Sequence, residues 1–203
     1  MQLLAAQPDI GALLLERLNP HHSLRNVELL TTAEVAGGLL RRLAVPAPDG
    51  LPQLGDIAED LADSLPEQQN RLGRPVPGKW LNAACGLARD FATQADKLLV
   101  HTDLHYGNFL AGQREPWLAV DPKPVMGDPE RAVPELLWTR LDEVDGAAGL
   151  RRLLAALVDA ASLDAEAARG WAIVRCVDYW LWGLQAGLTG DPVRCQRILE
   201  VLG

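Results

Sequence analysis

HTDLHYGNFL, residues 101–110, sets two histidines, an aspartate and an asparagine between the apolar runs Leu98-Leu99-Val100 and Phe109-Leu110-Ala111. A polar turn, a metal cage and a phosphate-handling loop all fit such an interruption, and the flanking sequence has to choose. Downstream, Phe109-Leu110-Ala111 and Trp117-Leu118-Ala119-Val120 bracket the turn Gly112-Gln113-Arg114-Glu115-Pro116, which reads as a β-hairpin. With the turn centred on Arg114-Glu115, Ala111 faces Leu118 and Asn108 faces Asp121. An amide oxygen beside a carboxylate suits a hard cation such as Mg²⁺, and Asp103 lies in the same loop. One proton-accepting Asp with an Asn and a second Asp on Mg²⁺ is the equipment of phosphoryl transfer. A one-residue slip would move the pair apart, so the expectation depends on register.

The 203 residues are 48% hydrophobic and 23% charged, which suits one domain or a large lobe with a small appendage. Net charge is −8, and no basic cluster is longer than Arg41-Arg42 or Arg151-Arg152. That gives no footing for a nucleic-acid partner; an acidic surface fits a cationic small molecule or serves solubility. Cys85, Cys176 and Cys195 are far apart and lack metal-ligand spacing, so buried, reduced thiols are expected. No signal-peptide pattern opens the sequence, and no apolar run reaches the roughly 18 residues of a membrane span. The expected location is the cytoplasm, with no membrane partner.

The opening reads as strand, turn, strand, with Pro8-Asp9 and Gly11 making the turn. Such a hairpin leaves open edges, so the chain is expected to start inside a sheet, and self-association or a partner lobe is expected at the hairpin. Thr31 with Glu34 has capping-box spacing ahead of the stripe Val35, Leu39, Leu40, Leu43. Further helices are expected at about 56–70, 79–96, 130–145, 147–161, 165–188 and 192–202, with Asp164 and Asp191 as N-caps. The fold class is α+β and mostly helical: residues 1–20 a remnant of a small sheet and hinge, residues 21–203 a helical lobe.

His101-Thr-Asp103-Leu-His-Tyr-Gly-Asn108 resembles the H-x-D-x-x-x-x-N catalytic loop of kinase-like phosphotransferases, and Asp121-Pro122-Lys123 resembles a variant of their metal motif. HTDLHYGNFL, REPWLAVDPKPVMGDP, LLWTR and GALLLERL together are similar to the aminoglycoside/hydroxyurea antibiotic resistance kinases of the streptomycin 6-kinase type. The resemblance implies the C-terminal lobe of a protein-kinase-like fold, with most of the N-terminal lobe lacking. It implies ATP and Mg²⁺ as cofactors and phosphorylation of a hydroxyl on an aminoglycoside or related small molecule. By the same resemblance Asp103 is the catalytic base, Asn108 and Asp121 hold Mg²⁺, His101 and Asp128 give structural support, and Glu16, Arg17 and Leu18 meet the adenine through backbone groups. Ala132 stands where the family often carries Asp. Lys123 is assigned to the nucleotide phosphates, with a solvated lysine as the plain alternative.

Two other functional readings remain at this stage. One is an inactive lobe remnant, or half of a split enzyme. The other is a zinc hydrolase, since His101, Asp103 and His105 alternate along one extended face. Trp171, Tyr179, Trp180 and Trp182 are expected to pack the core, with Trp182 and Asp178 as the alternative lining for a cationic sugar. Asp142, Glu143 and Asp145 are expected to be a solvated helix end, or an attractor of guanidinium groups.

Overall fold

The computed structural model describes residues 1–94 and 97–203. The opening hairpin forms as the sequence suggested: β1 (Leu3–Gln7) pairs antiparallel with β2 (Ala12–Leu15), and Gly11 closes the turn at φ 65°. Both strands stand almost wholly in solvent. A third strand, β3 (Asn19–Ser23), straddles the expected boundary at residue 20 and pairs with the Phe109–Ala111 strand of the helical part. Its sequence, NPHHS, carries none of the alternation that marks a strand.

α1 (Leu29–Leu43) starts two residues before the expected capping box. Its N-cap is Glu28, whose carboxylate accepts from the N–H groups of Leu30 and Thr31 at 3.0 and 2.8 Å. α2 (Leu54–Arg71) and α3 (Gly78–Ala92) pair with each other, and the long α6 (Ala165–Gln185) lies against α3 and α7 (Gly190–Leu202). α5 (Gly146–Ala161) packs on α1. Asp164 caps α6 as expected, accepting from Ala167 N–H at 2.8 Å. Asp191 does not cap α7; Thr189 holds that position, and Asp191 pairs with Arg194 in the first turn.

The expected helix at 130–145 is broken into a 3-10 turn at Pro129–Ala132, the short α4 (Val133–Trp138) and a second 3-10 turn at Leu141–Glu143. Pro129 and Pro134 remove amide donors near its start, which shortens what periodicity alone would extend. Trp171 and Trp180 are buried in the core, Tyr179 is partly buried, and Trp182 stays 49% exposed. The three cysteines are free and buried. Among the described residues no helix is long and apolar enough to cross a membrane.

Two small sheets carry the polar loop. β4 (Leu98–His101) pairs antiparallel with β7 (Pro124–Gly127), and β5 (Phe109–Ala111) lies between β3 and β6 (Trp117–Ala119). β7 went unread because Pro124 and Gly127 break a strand pattern. Gly127 is required by contact: a Cβ there would overlap the Leu54 side chain of α2.

Candidate active site

β4 ends at His101 and β7 begins at Pro124, so one pair of strands holds both ends of the polar region. Between them the β5–β6 hairpin sits one residue off the expected register. Ala111 pairs with Trp117 rather than Leu118, and the Asn108 carbonyl accepts from Val120 N–H at 2.9 Å. Asn108 therefore faces Val120, and Asp121 is the next residue outward. The turn is centred on Arg114 alone rather than on Arg114-Glu115, and Gly112 N–H donates to the Pro116 carbonyl at 3.4 Å across its base. Asp121 itself has φ 53°, a left-handed conformation that carries strain outside glycine and concentrates at functional positions.

His101 is the clasp. Its Nδ1 accepts from Asp103 N–H at 3.3 Å and its Nε2 lies 3.0 Å from the Val120 carbonyl, which requires the tautomer with the proton on Nε2. The ring thus joins the start of the loop to the residue before Asp121. Asn108 works across the loop: its Nδ2 donates to the Asp103 carbonyl at 2.9 Å, which turns Oδ1 away from that bond. That oxygen and the Asp121 carboxylate are hard donors of the type Mg²⁺ takes, and the donor set fits that ion.

Lys123 is fixed by its backbone and free in its side chain. Its carbonyl accepts from Thr102 N–H and Oγ1 at 3.2 and 2.9 Å, while Nζ donates to Asp103 Oδ2 at 2.6 Å. Burial disfavours ionisation of Asp103, but the Lys123 ammonium, helped by His105 and His101, outweighs it. The carboxyl is held below the usual carboxylate range. Thr102 was not read as a contributor; a hydroxyl between His and Asp gives no signal until the partner strand is known.

The hinge residues come to the same place. A cavity of about 610 Å³ is lined by Glu16, Arg17 and Leu18 on one side and by Leu110, Val120 and Asp121 on the other. The Glu16 carboxylate itself is turned to the hairpin tip, where Arg114 donates to it at 2.9 and 3.3 Å; that contact, and the Gln2 N–H, hold its pKa low. Asp128 is buried away from solvent and accepts from Trp171 Nε1 at 3.3 Å, tying the turn before α4 to α6.

The zinc reading has no support. His101 uses both ring nitrogens within the protein, and His105 Nδ1 accepts from Gly107 N–H at 3.1 Å. Among the described residues no group of three His, Cys, Asp or Glu side chains could hold a metal ion. Within the acidic set the exposed carboxylates of Asp142 and Glu143 bind arginines of the same chain, Arg194 and Arg197 for the first and Arg140 for the second. Asp178, considered beside Trp182, pairs with Arg175.

The model of the family described as aminoglycoside/hydroxyurea antibiotic resistance kinase matches residues 1–187. The chain belongs to that family. It is 37% identical over 199 residues to a streptomycin 6-kinase of Streptomyces glaucescens, covering 95% of this chain and 65% of that protein. It is 40% identical over 209 aligned positions to a hydroxyurea phosphotransferase of Kitasatospora aureofaciens, covering 100% of this chain and 59% of that protein. The chain therefore spans roughly three fifths to two thirds of the length of these curated relatives. Among solved structures, the choline kinase LicA from Streptococcus pneumoniae superposes with a TM-score of 0.63 at 16% identity, over 99% of this chain and 73% of that one. A thermostable mutant of aminoglycoside phosphotransferase APH(4)-Ia gives 0.63 at 15% identity, over 94% of this chain and 71% of that one. At those identities the likeness is one of fold: the protein-kinase-like α+β lobe expected from the sequence.

Proposed function

We propose that this lobe transfers the γ-phosphoryl group of ATP to a hydroxyl of a small antibiotic, an aminoglycoside such as streptomycin or hydroxyurea, and so inactivates it. The single observation that carries the reading is the convergence around Asp103. Its carboxylate meets Lys123, its backbone is gripped by His101 and Asn108, and the segment they grip leads to Asp121 at the hinge cavity. The streptomycin 6-kinase and hydroxyurea phosphotransferase relatives supply the acceptor classes. A related fold has been solved with AMP bound, which supports use of a nucleotide. The cytoplasm is the compartment that supplies ATP and keeps buried thiols reduced.

In this reading the Asp103 carboxylate takes the proton of the acceptor hydroxyl as that oxygen bonds to the γ-phosphorus. The bond from phosphorus to the bridging oxygen breaks and ADP leaves. Asn108 Oδ1 and the Asp121 carboxylate would hold Mg²⁺, which would offset negative charge on the phosphates. The backbone of Glu16, Arg17 and Leu18 borders the adenine. Lys123 has two partners in turn: its side chain is 68% exposed and reorients at little cost, so Nζ leaves Asp103 for a phosphate oxygen and frees the base. His101 and Asp128 hold the surrounding backbone without touching the reacting atoms.

The test is transfer of label from γ-labelled ATP, with Mg²⁺, to streptomycin and to hydroxyurea. Product that needs Mg²⁺ and disappears in Asp103→Asn is expected. Folded protein that labels neither acceptor would sink the reading.

A further inference from the structure

The loop that carries Asp103 holds a second histidine whose ring is only half used. His105 follows Asp103 by two residues, and its N–H donates to the Asp103 carbonyl at 3.1 Å, which folds the chain tightly between them. Leu104, the residue at that fold, is fully buried, whereas Asp103 and His105 on either side of it are partly buried. The middle side chain anchors the loop in the core, and its two polar neighbours are left at the loop's surface.

The surroundings of His105 show which side of Asp103 it occupies. Burial holds its pKa down, and the titratable groups close enough to act on its ring are Asp103, Arg25, His101 and Glu135. Arg25 comes from the 3-10 turn Leu24–Asn26 after β3, and its guanidinium lies across Gly107, where a Cβ would come within 2.6 Å of Nε. Glu135 comes from α4. None of these three residues lines the hinge cavity, which Leu110, Val120 and Asp121 border. His105 thus flanks Asp103 away from the cavity assigned to the nucleotide, on the side left for the acceptor.

Its two ring nitrogens differ. Nδ1 accepts from Gly107 N–H at 3.1 Å, so it carries no proton, and the neutral ring holds its proton on Nε2. That Nε2–H has no partner among the described residues and stays open to solvent. His101 makes the contrast, since both of its nitrogens are used inside the protein. His105 therefore presents one donor, on a ring whose orientation Gly107 fixes.

We infer that His105 Nε2–H binds the phosphoryl acceptor, donating to a second oxygen that lies beside the hydroxyl held by Asp103. The inference rests on the phosphoryl-transfer reading above and adds a selection rule to it. With Nδ1 occupied the ring can only donate, so it selects oxygen: the carbonyl of hydroxyurea, or the ring hydroxyl next to the reacting one on an aminoglycoside. An ammonium or guanidinium at that place brings only N–H groups and meets the donor head-on. With the reacting oxygen at Asp103 and its neighbour at His105, two points fix the acceptor, and positioning is most of what phosphoryl transfer asks of a protein.

The experiment is a titration of ¹⁵N-labelled protein with hydroxyurea and, separately, with streptomycin, following the His105 ring nitrogens by NMR without nucleotide. At least one of the two is expected to shift Nε2 and to slow exchange of its proton with water; neither doing so would overturn the inference. Two variants then divide the ring, with acceptor binding measured by calorimetry. His105→Asn keeps an oxygen near the Nδ1 position for Gly107 N–H and removes the outer donor. His105→Gln places an amide N–H near the Nε2 position and gives up the Gly107 contact. The first is expected to weaken binding about three- to tenfold, the usual effect of losing one neutral hydrogen bond, and the second to recover most of that loss. In the transfer assay His105→Asn should raise KM for the acceptor and leave KM for ATP in place. Affinity unchanged in His105→Asn, or lost as fully in His105→Gln, would overturn the inference and leave a ring that serves only the loop. Transfer without the Nε2 shift overturns the contact and leaves the phosphotransferase reading standing; the shift without transfer to either acceptor does the reverse.

Discussion

The lobe contains two sets of carboxylate–cation pairs, and they behave as opposites. Between α4 and α6, Arg131 donates to Glu135 at 3.0 and 3.1 Å, and Arg175 links Glu135 to Asp178. The Arg131 and Glu135 side chains are only 8% and 6% exposed. Burial, with the neighbouring Arg175 charge, pushes Arg131 down to about 10, so its charge is tolerated only because Glu135 is there. Asp103 and Lys123 are as close, at 2.6 Å, but Lys123 stands in solvent and can leave. The first set is locked by desolvation and the second is poised by access. The same chemistry of pairing builds a scaffold in one place and leaves a releasable carboxylate in the other.

Substitutions can break that comparison, and the largest effect belongs to the locked set. Glu135→Ala strands the buried Arg131 guanidinium and takes one of two carboxylates from Arg175, and should cost about 3–5 kcal/mol in urea denaturation. Lys123→Met should leave the urea midpoint in place yet lower phosphoryl transfer about tenfold or more, by removing a positive charge from the phosphates. The same variant sharpens the electrostatic side of the contrast. In the nucleotide- and metal-free protein the Asp103 carboxyl, followed by ¹³C NMR, should titrate below the usual carboxylate range. Lys123→Met should raise it, since burial then acts with less opposition. A depressed folded-state pKa means the ionised carboxylate stabilises the fold above the unfolded-state value. That contribution is lost as pH falls through the folded-state value. At the small end, Arg71→Ala removes an exposed i,i+4 pair with Glu67 and should change stability by less than about 0.5 kcal/mol.

The contrast also separates what the sequence made legible from what it hid. The polar loop was readable because Asp103, Asn108 and Asp121 keep a fixed order around one hairpin, and local order survives folding. The hairpin register differed by one residue because the turn centres on Arg114 rather than between Arg114 and Glu115, and no pattern in three-residue strands distinguishes the two. β3 and β7 stayed hidden because Asn19-Pro20-His21 and the Pro124–Gly127 segment carry none of the alternation that marks a strand. Helices α2, α3, α5 and α6 emerged from their 3.6-residue periodicity, while the helix expected at 130–145 begins afresh at Val133-Pro134 and ends at Trp138, an end that periodicity does not mark. The locked charge cluster joins residues some forty positions apart, as Glu135 and Arg175 do, so only tertiary structure assembles it.

The most direct measurement is single-turnover transfer from ATP by the wild-type chain and by Asp103→Asn, with urea denaturation of both. The expected result is a rate lower by about 10²–10⁴, the effect of removing a general base, with the urea midpoint moved only by the loss of the solvent-facing pair with Lys123. An Asp103→Asn protein that transfers phosphate at the wild-type rate would contradict the assignment of this loop as the reactive centre.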